Sequence, residues 1–135
     1  MQYDKHFYEQ AVQDFESAFK DIFADEIVLE KVYCEFSSRG YFKMIYKYLQ
    51  KNYQIEIENE MIWFEIRIRD EAGANTLLYR VAEYDNRLED KNIRDAISLL
   101  KKVLDKGNIV MYIRKGGVLY KKENGCLREI DISEM

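Results

Sequence analysis

Residues 90–122, DKNIRDAISLLKKVLDKGNIVMYIRKGGVLYKK, constrain the fold more than any other stretch. In the first half, Ile93, Ala96, Ile97, Leu100, Val103 and Leu104 recur at helical spacing and form one apolar face. Asn92, with Asp95 three residues later, reads as the N-terminal cap. Lys101, Lys102 and Lys106 fill the last two turns, where positive charge complements the helix dipole. Gly107 supplies the left-handed position that stops a helix. The period then changes. Residues 109–114 and 118–122 read as strands joined by a tight turn at Lys115-Gly116-Gly117. Glu123-Asn124-Gly125 turns the chain again, into a strand over 126–132. A helix at about 91–106 followed by an antiparallel meander fixes the α+β class.

The segments upstream extend this reading. Tyr8, Ala11, Val12, Phe15, Ala18, Phe19, Ile22 and Phe23 predict a helix over 4–24, with Asp4 as its cap. Residues 26–36 read as a strand with Val28, Val32, Cys34 and Phe36 on its apolar side, which predicts a buried thiol at Cys34. Ser37-Ser38-Arg39-Gly40 is a turn signal. The spacing of Tyr41, Met44, Ile45, Tyr48 and Leu49 favours a helix over 41–53, with Lys43, Lys47 and Lys51 in a row along it. The second arm of a hairpin is the alternative there. Tyr53, Ile55 and Ile57 then alternate on odd positions, and Ile62, Phe64, Ile66 and Ile68 on even ones. That switch requires a turn or bulge at Glu58-Asn59-Glu60, and hence a hairpin. Residues 77–84 read as a further strand with Leu77, Tyr79 and Val81 inward. The expected architecture is a single domain over 1–135, a mostly antiparallel sheet carrying an N-terminal helix and a second helix.

Composition excludes several classes. No apolar run approaches the roughly 20 residues of a membrane-spanning helix. The opening residues show no basic segment followed by an apolar core, so no secretory leader is expected. Two cysteines without such a leader predict reduced thiols and a cytoplasmic setting. The sequence pI of about 5.2 speaks against nucleic-acid binding. Charge is nonetheless uneven. Residues 54–71 carry six acids against two bases, while residues 87–128 carry eleven bases against five acids. Either the charged faces pair across the fold, or an acidic surface meets a basic partner.

Catalytic motifs are not visible. His6 is the sole histidine, and no Cys or His pair stands at ligand spacing. None of the serines sits in a Gly-x-Ser-x-Gly context. Gly116-Gly117 lacks the phosphate-loop pattern and does not open a helix. No cofactor or metal is expected.

The run over 92–125 combines an amphipathic helix, a strand containing Tyr112, a glycine turn and a strand ending Leu119-Tyr120-Lys121. In this it resembles the C-terminal part of small bacterial immunity proteins, which accompany polymorphic toxins, including those of contact-dependent growth inhibition. The resemblance implies a cytoplasmic, non-enzymatic protein that binds and blocks a cognate toxin domain. Immunity proteins of this kind are often acidic when the toxin is a basic nuclease. No functional residue carries over from the family. The charge pattern selects Glu56, Glu58, Glu60, Trp63 and Glu65 as the partner-binding set, with Glu83, Tyr84 and Asp85 as a second patch. Trp63 stands out because the alternation places it on the polar face of its hairpin, where it is either covered by a helix or exposed as an anchor. The rival readings are a non-enzymatic adaptor and a small enzyme built from scattered carboxylates. The oligomeric state is left open.

Overall fold

The structure, a computed structural model, describes residues 3–37 and 39–135. Helix α1 (Lys5–Phe23) starts where expected, with the Asp4 carboxylate accepting from the Phe7 amide at 3.1 Å. Eight strands follow: β1 (Ile27–Glu35), β2 (Tyr41–Tyr48), β3 (Tyr53–Glu60), β4 (Trp63–Arg69), β5 (Asn75–Leu77), β6 (Met111–Lys115), β7 (Val118–Glu123) and β8 (Cys126–Glu129). Helix α2 (Asp90–Lys106) is inserted between β5 and β6. All eight strands form one antiparallel sheet in sequence order, so the fold is α+β.

One face of the sheet is apolar and the helices cover it. Phe42, Met44, Tyr46 and Tyr48 of β2, Ile55 and Ile57 of β3, and Phe64, Ile66 and Ile68 of β4 are buried there. Helix α1 sets three phenylalanines on them. Phe15 meets Phe64 edge-on at 5.1 Å, Phe19 stacks on Tyr46 at 3.9 Å, and Phe23 meets Tyr48 at 6.0 Å. Helix α2 adds Ile93, Ala96, Ile97, Leu100 and Leu104 to the same cluster. It ends at Gly107, whose φ is +73° and whose N–H donates to the Val103 carbonyl at 3.1 Å. The acidic N-terminal segment and the basic α2 partly neutralise each other, with Lys101 on Glu26 at 2.9 Å and Arg94 on Asp21 at 3.1 Å. Among the described residues, no helix is long and apolar enough to cross a membrane.

Several expectations are corrected. Residues 41–48 form β2, not a helix, and Lys51 lies in the turn that follows. Both faces of β2 carry apolar residues, since Tyr41 and Ile45 sit opposite the buried set. That erases the two-residue period and imitates a helical stripe. Residues 77–84 are not a strand. β5 stops at Leu77, and a 3-10 turn over Leu78–Arg80 buries Leu78 while leaving Tyr79 and Val81 exposed. Cys34 is exposed rather than buried, because β1 is an edge strand and carries a register shift between Leu29 and Lys31. Asn92 is not the cap of α2. Glu89 holds that position, and the buried Asn92 amide donates to the Arg87 carbonyl at 3.2 Å.

The β3–β4 hairpin also turns later than expected. Glu60 pairs with Trp63, so a two-residue loop, Met61-Ile62, makes the reversal. Partner numbers then sum to an odd value, and the parity switch needs no bulge. Of the 37–40 turn, Ser38 lies outside the described residues. Gly40 there has a φ of +63°, and the Tyr8 ring packs so closely that no Cβ fits.

A candidate protein-binding groove

The polar side chains of the central strands point away from the helices. Across this open face lie Tyr41, Lys43 and Lys47 of β2, then Gln54, Glu56 and Glu58 of β3, then Trp63, Glu65, Arg67 and Arg69 of β4. Pairing makes Glu58 the direct neighbour of Glu65 and Glu60 that of Trp63. Two carboxylates directly opposite on one face destabilise a sheet.

Part of this face lines a groove of about 740 Å³ at the turn end of the hairpin. Glu58, Glu60, Trp63 and Glu65 form its floor and rim together with Arg39, Tyr41, Asn59, Met61 and Asn86. Three carboxylates therefore face one arginine. The Tyr41 hydroxyl donates to Glu58. Burial, with the hydrogen bond to Glu58 and its negative charge, pushes that hydroxyl's pKa up to about 12, so Tyr41 remains a donor at neutral pH. Arg39 lies over the Tyr41 ring at 5.7 Å. Trp63 is 47% exposed. Its backbone bridges to Arg87, whose guanidinium lies 6.0 Å from the indole. Residues 86–88 run alongside: the Phe64 amide donates to the Asn86 carbonyl at 2.9 Å and the Leu88 amide to the Ile62 carbonyl at 2.8 Å. A short strand-like segment thus stiffens the Trp63 end of the groove. The helix cover considered for Trp63 is absent; both helices pack on the opposite face.

Asn59 organises the floor. It is buried on the helix side of β3. Its Oδ1 accepts from the Phe42 amide at 2.7 Å, and its Nδ2 donates to the carbonyls of Gly40 and Met61, each at 2.9 Å. One side chain thereby ties the entry of β2 to the β3–β4 turn. Sequence reasoning placed Asn59 in a turn and gave it no role. Arg39, Tyr41 and Asn86 were also missed. Their approach to the hairpin is a long-range contact, and no local pattern announces it.

The remaining selected residues separate from the groove. Glu56 shares the open face but is only 8% exposed and already neutralised. Arg69 Nε reaches it at 2.8 Å, Gln54 Nε2 at 2.6 Å and Lys43 Nζ at 3.8 Å. Burial pushes the Glu56 carboxyl up, but the hydrogen bonds from Arg69 and Gln54 and the charges of Arg69 and Lys43 outweigh it, leaving it below its ordinary range. Glu83 and Asp85 are exposed, and Asp85 accepts from the Arg87 amide at 3.1 Å. Tyr84 packs inward, stacked on Phe64 at 5.9 Å; burial, with the nearby Glu65 charge, pushes its hydroxyl's pKa up to about 12. None of the three lines the groove.

Glu56 has a consequence for stability. Its carboxyl is lowered in the folded state, so its contribution is full above the unfolded carboxylate range and is lost as pH falls through the folded value. Arg69→Ala is expected to cost about 1–2 kcal/mol at pH 7, less than for a fully buried pair because Arg69 is partly solvated. The cost should shrink as pH falls through the lowered folded value, where Glu56 becomes protonated even beside Arg69. Urea unfolding at pH 7 and at a series of lower pH values checks this. A pH-independent loss would show that the arginine acts through packing instead.

Among the described residues no three side chains of the metal-ligating types are grouped to hold an ion. No family model matches the chain, and no curated protein or solved structure matches it.

Proposed function

We propose that this protein binds and neutralises a basic toxin domain, in the manner of the immunity proteins that its residues 92–125 resemble. The observation that carries the proposal is the hairpin-end groove. It gathers Glu58, Glu60 and Glu65 around a half-exposed tryptophan. Among the described residues, none of these three carboxylates forms an ion pair, whereas Glu56 on the same face does. Like charge without an ion pair, held on a rigid sheet, is what a basic partner would satisfy. Trp63 supplies the apolar anchor on which binding energy concentrates. In this reading the protein acts by occupying the toxin's anionic-substrate groove in the cytoplasm, with no catalytic step of its own. Encounter would be electrostatically steered and so weaken with salt.

The test is capture of the partner from the native host on the tagged full chain, followed by affinity measurement with the purified partner. The expected partner is a basic nuclease domain whose activity the protein abolishes. The triple substitution Glu58→Lys, Glu60→Lys, Glu65→Lys is expected to weaken binding at least a hundredfold, and Trp63→Ala at least tenfold. A partner that binds the triple variant as tightly as the original chain sinks the groove assignment. A partner that keeps full activity in the complex sinks the inhibitor reading.

A further inference from the structure

Strand β1 is the first strand of the sheet and pairs with β2 alone. It is nine residues long, and every residue after Ile27 is exposed. Four of them are large and apolar: Val28, Leu29, Val32 and Tyr33, between 36% and 50% exposed. The opposite edge, β8, is only four residues long. A long edge with exposed apolar residues is a template for another strand, and the charges and bulge at its centre restrict it to a partner that complements them.

The register shift in β1 decides what fits. Before it, Leu29 pairs with Tyr46 on the helix side and Val28 with Lys47 on the open side. After it, Lys31 pairs with Ile45 on the open side, Val32 with Met44 on the helix side and Tyr33 with Lys43 on the open side. The extra residue, Glu30, lines a surface depression with Lys47, Gln54 and Arg69, and so lies on the open side next to Lys31. Two successive residues on one side reset the alternation. Side chains opposite one another in an antiparallel pair must share a face. Pairing β1 with the β1 of a second copy about a two-fold axis between Glu30 and Lys31 satisfies this throughout. Val28 meets the partner's Tyr33 on the open side. Leu29 meets the partner's Val32 on the helix side. Glu30 meets the partner's Lys31, twice by symmetry. A shift of one residue in either direction puts an open-side residue opposite a helix-side one in at least one of the flanking pairs.

We infer that this protein forms a two-fold dimer by antiparallel pairing of β1 with β1, joining two eight-stranded sheets into one. Apolar residues meet apolar residues on both faces, and the central charges meet as opposite signs in that register. The symmetry is the self-complementary kind that most homodimers use.

Sedimentation of the full chain under reducing conditions tests it. A species of twice 16.3 kDa is expected at micromolar to submillimolar concentration. Lys31→Glu opposes two glutamates across the axis and is expected to weaken the dimer at least tenfold. The double exchange Glu30→Lys, Lys31→Glu is expected to restore it, which a merely structural role for either residue would not do. All these side chains are exposed, and circular dichroism confirms that each variant stays folded. A monomer at every concentration overturns the inference. So does a dimer indifferent to Lys31→Glu, which would place the interface elsewhere. A monomer whose β1 instead takes up a strand of a different protein also counts against it.

Discussion

Phe15→Ala is expected to lower the free energy of unfolding by about 3–5 kcal/mol, the range for removing a phenyl ring from a closed core. Phe15 is fully buried and meets two strands at once, Phe42 at 6.0 Å and Phe64 at 5.1 Å. The lost transfer energy is one contribution. The cavity adds to it, because the ring is held between α1 and two hydrogen-bonded strands that cannot close over the gap. Edge-to-face contact with Phe64 contributes roughly 1 kcal/mol more. A domain of ordinary stability holds only about 5–15 kcal/mol in reserve, so the variant should melt roughly 10–20 °C lower. Phe15→Leu keeps most of the volume and should cost about half as much. Urea and thermal unfolding of the three chains decide the matter. A loss below about 1 kcal/mol for the alanine variant would mean that α1 is not seated on the sheet through this residue.

How far such contacts can be read in advance depends on whether one face of an element is polar. Helix α1 has Glu9, Asp14, Glu16 and Asp21 off its apolar stripe, and its span was legible to within a residue. Helix α2 and the β6–β7 hairpin were legible for the same reason, with Gly107 and Gly116-Gly117 as punctuation. β2 was not. Its open face carries Tyr41 and Ile45, so apolar residues occur on both parities. Lys43 and Lys47, four apart, share a face on a helix and on a strand alike, and do not discriminate. β1 failed differently. Its shift at Glu30 puts Val28 and Val32 on opposite faces although both are even-numbered. Leu77, Tyr79 and Val81 alternate like a strand, but the 3-10 turn that buries Leu78 is set by tertiary packing.

The groove divides along the same line. Glu58, Glu60, Trp63 and Glu65 could be found because a hairpin is local and its parity assigns them to one face. Glu56 obeys the same parity, yet whether a carboxylate is satisfied depends on cross-strand cations. Its pairing with Arg69 becomes clear only once the register is known. Arg39, Tyr41 and Asn86 enter from other parts of the chain.

Asn59 is where fold and groove meet, and Asn59→Ala is expected to cost about 3 kcal/mol. The substitution strands a buried amide, Phe42 N–H, and two carbonyls, those of Gly40 and Met61. Each unsatisfied buried group costs about 1–3 kcal/mol, and partial entry of water keeps the sum near the lower end. Asn59→Asp separates hydrogen bonding from size. The aspartate keeps an acceptor for Phe42 but turns an oxygen, in place of the amide nitrogen, toward two carbonyl oxygens. It should therefore be at least as damaging as alanine, although it is nearly isosteric. A void alone would predict the reverse order. Because Asn59 anchors both Gly40, next to Tyr41, and Met61, two residues before Trp63, its loss should loosen both walls of the groove. Amide exchange at Phe42 is then expected to speed up in either variant by more than global destabilisation accounts for. If aspartate were tolerated and alanine not, Asn59 would be a space-filling residue, and the rigidity of the groove would have to come from the strand-like pairing of residues 86–88 with the hairpin.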